Sequence, residues 1–172
     1  MAERFEVSRG PVRDAFRILE AQHLVEKSGR SYVVLGLENS DLDEIYQLRT
    51  AIEPLAWSYL RDRRDNIAEL DAAIKQMALA AQAQDAEAFA RADIDFHSVA
   101  VRLSGKKRVV AMWDQIEPSI RLILQVTNLV NDDFDNVLHK HEILLDALRK
   151  GTESELRSSV VEHIENSRRI LP

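Results

Sequence analysis

The chain has 172 residues, 45% of them hydrophobic, with no cysteine and a net charge of −6. That is enough to bury a substantial core, and the absence of thiols excludes disulfides and thiolate metal sites and fits a reducing cytoplasm. The opening residues do not read as a signal peptide and no apolar run approaches the ~18 residues of a membrane span, so a cytoplasmic protein with no membrane partner is expected. The acidity is uneven: residues 1–36 hold six Arg or Lys against five Asp or Glu, a balance of +1, which leaves −7 on the remainder. Acidic bulk repels a DNA backbone, so any nucleic-acid contact has to be confined to this opening stretch.

Within residues 1–36 a short turn and a basic helix precede a hairpin, the order in which a winged helix meets DNA. Ser8 can cap a helix running to about Gln22, and Pro11 in its first turn is tolerated because its missing N–H would be unpaired there anyway. Val12, Ala15, Phe16 and Leu19 recur at three and four residues as an apolar stripe, which leaves Arg9, Arg13 and Arg17 spaced by four on another face. Beyond the helix, Val25–Lys27 and Tyr32–Leu35 flank Ser28-Gly29-Arg30, a Gly-centred turn between β-branched residues that predicts a hairpin with Arg30 at its tip. Taken alone, the three helical arginines read as a solvated face, as most charge runs are.

From Ser40 onward the pattern predicts six helices. The first, about Asp41 to Asp62, carries Leu42, Ile45, Leu48, Ile52 and Leu55 on one stripe, with a kink expected near Pro54. Asn66 to Gln82 follows, and Asp85 caps a third helix that reaches about Ser104. Lys106 to Val130 forms a long fourth helix containing Pro118, and the last two run from about Phe134 to Lys150 and from Thr152 to Ile170. The boundary between those two is marked by Lys150-Gly151-Thr152: a basic last turn, a C-terminal glycine, and an N-capping Thr with Glu155 three residues on. No internal repeat or low-complexity tract stands out.

The chemistry of this larger part lies in Asp93, His97, His141 and His163. Asp93 and His97 are one turn apart on a face that also holds Phe89 and Ala100, so the pair points inward. Val137, His141, Leu144 and Leu148 share a stripe, whereas His139 is rotated roughly 200° from His141 and faces away. Leu156, Val160, His163 and Ile170 form the corresponding stripe of the last helix. Singly, a histidine on an apolar stripe reads as a satisfied core residue, and an Asp-His pair at this spacing as a local hydrogen bond. Together, one carboxylate and three imidazoles suit Zn, Ni, Mn or Fe(II), with one or two coordination positions left open.

Two stretches carry a resemblance. Met1 to Glu26, MAERFEVSRGPVRDAFRILEAQHLVE, resembles the winged helix-turn-helix of the GntR family of bacterial transcription regulators. The resemblance puts Ser8, Arg9, Gly10, Pro11 and Arg13 at the start of the recognition helix and Ser28, Gly29 and Arg30 in the wing, positions that contact phosphates and base edges in that family. Arginine suits both tasks through its planar fork. The chain departs from the family at Gly10, where Thr is common, and at His23, where Gly is usual. The family also has a helix and a strand before the AERF segment, so a truncated reading head that binds DNA poorly by itself is expected. DLDEIYQLRTAIEP at 41–54, DIDFH at 93–97 and KHEILLDALRKG at 140–151 look like the all-helical FCD ligand-binding domain of the FadR subgroup. In metal-binding members of that subgroup an Asp-x-x-x-His pair and two later histidines ligate a divalent cation at the base of a pocket. These fall on Asp93, His97, His141 and His163.

The resemblance implies a dimeric regulator that binds a palindromic operator and responds to a small carboxylate effector. The implied fold is mainly α: a partial winged helix-turn-helix over residues 1–36, then an antiparallel six-helix bundle over 40–170 that holds metal and effector and dimerises. Arg49 and Arg121 are the candidates for receiving the effector carboxylate, against surface ion pairs with Glu44, Glu53 or Glu117. Residues 40–170 alone also fit a metal-dependent hydrolase or oxygenase, or a structural metal in a dimerisation module. A winged helix serves no purpose in an enzyme, and Glu142, the nearest general base to His141, points roughly 100° away from it.

Overall fold

The structure, a computed structural model, describes residues 1–63, 67–130 and 133–171, apart from the side chains of residues 129, 130 and 170. These residues form seven helices and one two-stranded sheet, divided between a unit from Met1 to Glu38 and a unit that begins at Asn39.

In the first unit, helix α1 (Arg9–Ala21) is followed by strands β1 (Val25–Ser28) and β2 (Ser31–Val34), which pair antiparallel with Val25 opposite Val34 and Ser28 opposite Ser31. The two-residue turn between them needs a positive φ at its first position, and Gly29 supplies it at 61°. Ser8 sits at the N-cap in extended conformation, but its side chain makes no capping bond, contrary to the sequence expectation. His23 adopts φ 56°, the left-handed conformation that follows a helix end and that glycine would adopt more cheaply. Phe16 stacks on Tyr32, ring centroids 4.4 Å apart, tying helix to hairpin. Val12, Phe16 and Leu19 are half-buried while Ala15 is exposed, and Val25 is the only fully buried apolar residue of this unit.

The second unit is all helix: α2 (Asn39–Arg61), α3 (Ala68–Ala83), α4 (Ala86–Leu103), α5 (Lys107–Val130), α6 (Phe134–Lys150) and α7 (Glu153–Ile170). The expected start of α3 at Asn66 lies outside the described residues. Helix α4 lies against α5, α3 and α2, and α7 lies against α2 and α6. The core between them is built from Trp57, Phe89, Ile94, Phe96, Trp113 and Leu144, all nearly inaccessible to solvent. Asp85 caps α4 by accepting from the Ala88 N–H, and Thr152 and Glu155 form the reciprocal capping box at the start of α7. Gly151 is not left-handed, with φ −76°; it is required because a Cβ there would stand 2.6 Å from the Ala147 carbonyl oxygen.

The buried face of α2 differs from the predicted stripe. Leu55 is 40% exposed and Ile45 and Leu48 are half-buried, whereas Leu42, Tyr46, Arg49, Glu53, Ala56 and Leu60 are buried. Those positions alternate spacings of four and three, the period of a core-facing seam, and two of them are charged. α2 continues as helix through Pro54.

Candidate metal centre

Helix α4 delivers Asp93 and His97 one turn apart, α6 delivers His141, and α7 delivers His163; all four are buried. The neighbours Val137, Leu144 and Leu148 on α6 and Leu156 and Val160 on α7 are buried as the periodicity predicts. His139 is exposed and faces away, beside Glu142.

The candidate donor atoms converge. His141 Nε2 is 3.2 Å from Asp93 Oδ1, and His97 Nε2 is 3.5 Å from the same oxygen. His97 Nε2 stands 3.3 Å from both His141 Nε2 and His163 Nε2. Donors that share one ion at about 2.1 Å stand about 3.0 to 3.4 Å apart in octahedral or tetrahedral arrangement, so the spacing suits a common cation.

The hydrogen bonds behind the rings decide what the Nε2 atoms can be. His141 Nδ1 is 2.8 Å from the Val137 carbonyl, which can only accept, so Nδ1 carries a proton, and Nε2 is the nitrogen left to ligate when the ring is neutral. His97 Nδ1 is 2.6 Å from Glu53 Oε2, and the same reasoning applies when that carboxylate is ionised. Burial pushes the Glu53 carboxyl up, but the Arg49 guanidinium and His97 outweigh burial and bring it to about 2. Two imidazole Nε2 atoms and a carboxylate oxygen thus face one another inside a buried site. Either a proton or a metal cation has to sit among them.

The charges follow from that arrangement. Burial opposes ionisation of Asp93, yet His141 and His97 hold its carboxyl well below the usual range. His163 is held well below the ordinary imidazole value by burial and by the neighbouring His141, His97 and Arg49, so it is neutral and able to ligate. Its Nδ1 is buried without a hydrogen-bond partner among the described residues. His97 is raised: burial lowers it, but Glu53 and Asp93 favour its charged form more strongly. Phe96 packs edge-on against His97 and His141, with centroids 5.7 and 5.1 Å away, and limits how those rings can turn.

The two predicted carboxylate receptors are placed differently. Arg49 is buried, its Nε donating to Glu53 Oε1 at 2.7 Å and its guanidinium lying over the Tyr46 ring at 5.2 Å. Its Nη1 is buried with no partner among the described residues. Arg121 is held at the surface instead, by Glu117 at 3.0 Å and Asp95 at 3.3 Å. Asp95 is two residues from Asp93 and therefore on another side of α4, which accounts for Arg121 not being brought to the histidines.

Sequence reasoning missed Glu53 as a member of this cluster. The signal was present in Arg49 and Glu53 occupying consecutive positions of the four-three seam of α2, where a charged residue has to be paired.

In the first unit Ser8, Arg9, Pro11, Arg13, Ser28, Gly29 and Arg30 are exposed and Gly10 is half-buried. Arg17 stands 3.9 Å from Asp14, whereas Arg9, Arg13 and Arg30 make no ion pair among the described residues.

Comparison with known proteins bears on both units. The FCD domain model matches residues 44–166. The chain is 26% identical over 156 residues to the gluconate operon transcriptional repressors of Bacillus licheniformis and Bacillus subtilis; the match takes in 87% of this chain and 64% of each repressor, so the chain spans less than two thirds of those proteins. The crystal structure of a GntR transcriptional regulator from Rhodococcus sp. RHA1 superimposes with a TM-score of 0.82 at 22% identity, over 99% of this chain and 83% of that one.

Proposed function

The chain belongs to the FCD-domain family of GntR regulators, and from that premise we propose that it is a transcription regulator whose operator affinity is set by a small carboxylate bound beside a divalent cation. Asp93, His97, His141 and His163 would hold the cation, and Zn, Ni, Mn and Fe(II) all suit one carboxylate with three imidazoles. When bound, the cation supplies a positive centre with room for an anionic ligand. The observation that carries the reading is the convergence of the His97 and His141 Nε2 atoms with the Asp93 oxygen in a buried site.

The chain's own groups divide the remaining tasks. Arg49, with a buried and unpaired Nη1, is the donor for the effector carboxylate; Arg121, committed to Glu117 and Asp95, is not needed for it. Ser8, Arg9, Gly10, Pro11 and Arg13 on the recognition helix, with Ser28, Gly29 and Arg30 in the wing, contact the operator. A homodimer on a palindrome fits the exposed apolar residues Met112, Leu122 and Val126, which lie on one side of α5 and suit a second copy of the chain. Such a regulator works in the cytoplasm, where the DNA is; separately, no helix among the described residues is long and apolar enough to cross a membrane. Because two relatives repress gluconate operons, the effector class is a sugar acid, with one carboxylate and several hydroxyls.

The test is elemental analysis followed by calorimetry. One divalent ion per chain is expected, and gluconate should bind the loaded protein but not the chelator-stripped one. A protein that takes up no ion, or that binds gluconate equally well in both states, would overturn the reading.

A further inference from the structure

The ion pair between Arg49 and Glu53 has no counterpart in the proposed ligand set, yet it occupies two consecutive positions of the buried seam of α2, with side chains 1% and 0% exposed. Burying two charges in place of apolar side chains rarely improves stability, because desolvation offsets their attraction. Glu53 divides its two oxygens between two partners. Oε2 accepts from His97 Nδ1 at 2.6 Å and Oε1 accepts from Arg49 Nε at 2.7 Å. The first contact has a specific consequence. With its proton fixed on Nδ1, His97 can present only Nε2 to the other ligating atoms, which is the nitrogen that lies 3.3 Å from His141 Nε2 and His163 Nε2. The second contact secures a guanidinium whose Nη1 is left without a partner among the described residues.

We propose that Glu53 is a positioning residue of the metal centre, fixing the ring orientation and tautomer of His97 with one oxygen and securing Arg49 for an anionic ligand with the other. The proposal rests on the reading of the histidine cluster as a cation site and adds to it the residue through which cation and anion binding are joined. Removing the negative charge of Glu53 frees His97 to place its proton on Nε2, where it would compete with the ion. It also leaves Arg49 buried without its counter-charge. Replacing Arg49 by Lys keeps a cation beside Glu53, and with it the His97 contact, while it removes the guanidinium donor, so the two residues differ in what they affect.

The experiment is zinc and gluconate calorimetry on the native chain, Glu53→Gln and Arg49→Lys, with circular dichroism to confirm that each is folded. Zinc affinity should fall 10- to 100-fold in Glu53→Gln, the usual effect of losing a group that orients a metal ligand. In Arg49→Lys it should stay within about threefold of native while gluconate binding falls at least tenfold, since the charge beside Glu53 is kept and only the planar fork that suits a carboxylate is lost. Two-bond proton–nitrogen NMR on the zinc-loaded native protein should find His97 protonated at Nδ1, and this readout requires no variant. Zinc binding by Glu53→Gln at native affinity, equal loss of zinc binding in both variants, or His97 bound to zinc through Nδ1 would each overturn the proposal. Failure of the native chain to bind any divalent ion would overturn the cation reading itself, a distinguishable result.

Discussion

His97 stands between two carboxylates, and that position makes the centre sensitive to pH in a direction that can be worked out. Burial lowers its basicity, but Glu53 and Asp93 outweigh burial and raise it above the ordinary imidazole value. A raised value in the folded state means that, in the metal-free protein, the stabilising contribution of His97 is fully present below about pH 6.5 and is lost as pH climbs through the raised value. A cation needs the same nitrogen without its proton, so metal affinity should rise over that same range and level off above it. Thermal melts in chelator and zinc titrations across this range should therefore trend in opposite directions. A zinc affinity independent of pH would remove His97 from the ligand set. The inward placement of Asp93, His97, His141 and His163 was legible because periodicity puts Asp93 and His97 on one helical face and His141 and His163 on apolar stripes. Glu53 was not, since a glutamate in a charged helix ordinarily reads as surface. Only its phase relative to Tyr46, Ala56 and Leu60 shows that it is inside.

At the scale of the element, helix ends were read to within about two residues because caps are local: Asp85, Thr152 and Glu155 act on backbone groups three residues away. Their partners lie within the same few residues of sequence. Gly151 was also found, but for a different reason than its conformation; its need arises from the approach of the Ala147 carbonyl. The inward face of α2 lies part of a turn from the predicted stripe, toward Tyr46 and Glu53 and away from Leu48 and Leu55, because the packing of α2 against α7, α4 and α5 decides which side is inward. The capping box yields a quantitative expectation. Thr152→Ala removes the side chain that accepts from the Glu155 N–H and loosens the return bond from Glu155 to the Thr152 N–H. It should destabilise the protein by about 1 kcal/mol, within a usual span of roughly 0.5 to 2. Urea denaturation measures this, and zinc affinity should hold, because His163 lies about three turns into α7. An unchanged denaturation midpoint would mean that the start of α7 contributes nothing to cooperative stability.

For the whole molecule, charge distribution and coupling between functions are the relevant quantities. The first 36 residues carry +1 and the rest −7, so attraction to DNA cannot come from net charge and has to be supplied by individually placed guanidinium groups. Arg9, Arg13 and Arg30 are exposed and make no ion pair among the described residues, which leaves their donors available. In a chain that carries the family's complete winged helix, Arg13→Ala should weaken operator binding by about 1 to 3 kcal/mol if the side chain reads a guanine edge. An equal loss on random DNA would instead assign it to phosphate.

Regulation requires more than two binding sites on one chain. A ligand shifts an equilibrium only by the difference between its affinities for the two states, so gluconate that binds both states of the protein equally would leave operator affinity untouched however tightly it bound. A tenfold change in operator affinity needs a coupling of about 1.4 kcal/mol, and the same factor must appear in gluconate affinity when operator is added. In the proposed mechanism that coupling begins at the cation, because Arg49 and the metal act on one carboxylate from α2 on one side and from α4, α6 and α7 on the other. A ligand that draws these helices together makes contacts that one arrangement allows and another does not. Operator titrations with and without gluconate, on zinc-loaded protein that carries a complete winged helix and on its His141→Ala variant, test this directly. The native protein should change operator affinity at least tenfold with reciprocal coupling, and His141→Ala should bind operator but lose the response. A response that persists in His141→Ala, or in chelator, would separate effector sensing from the cation and leave the three histidines and Asp93 a structural role.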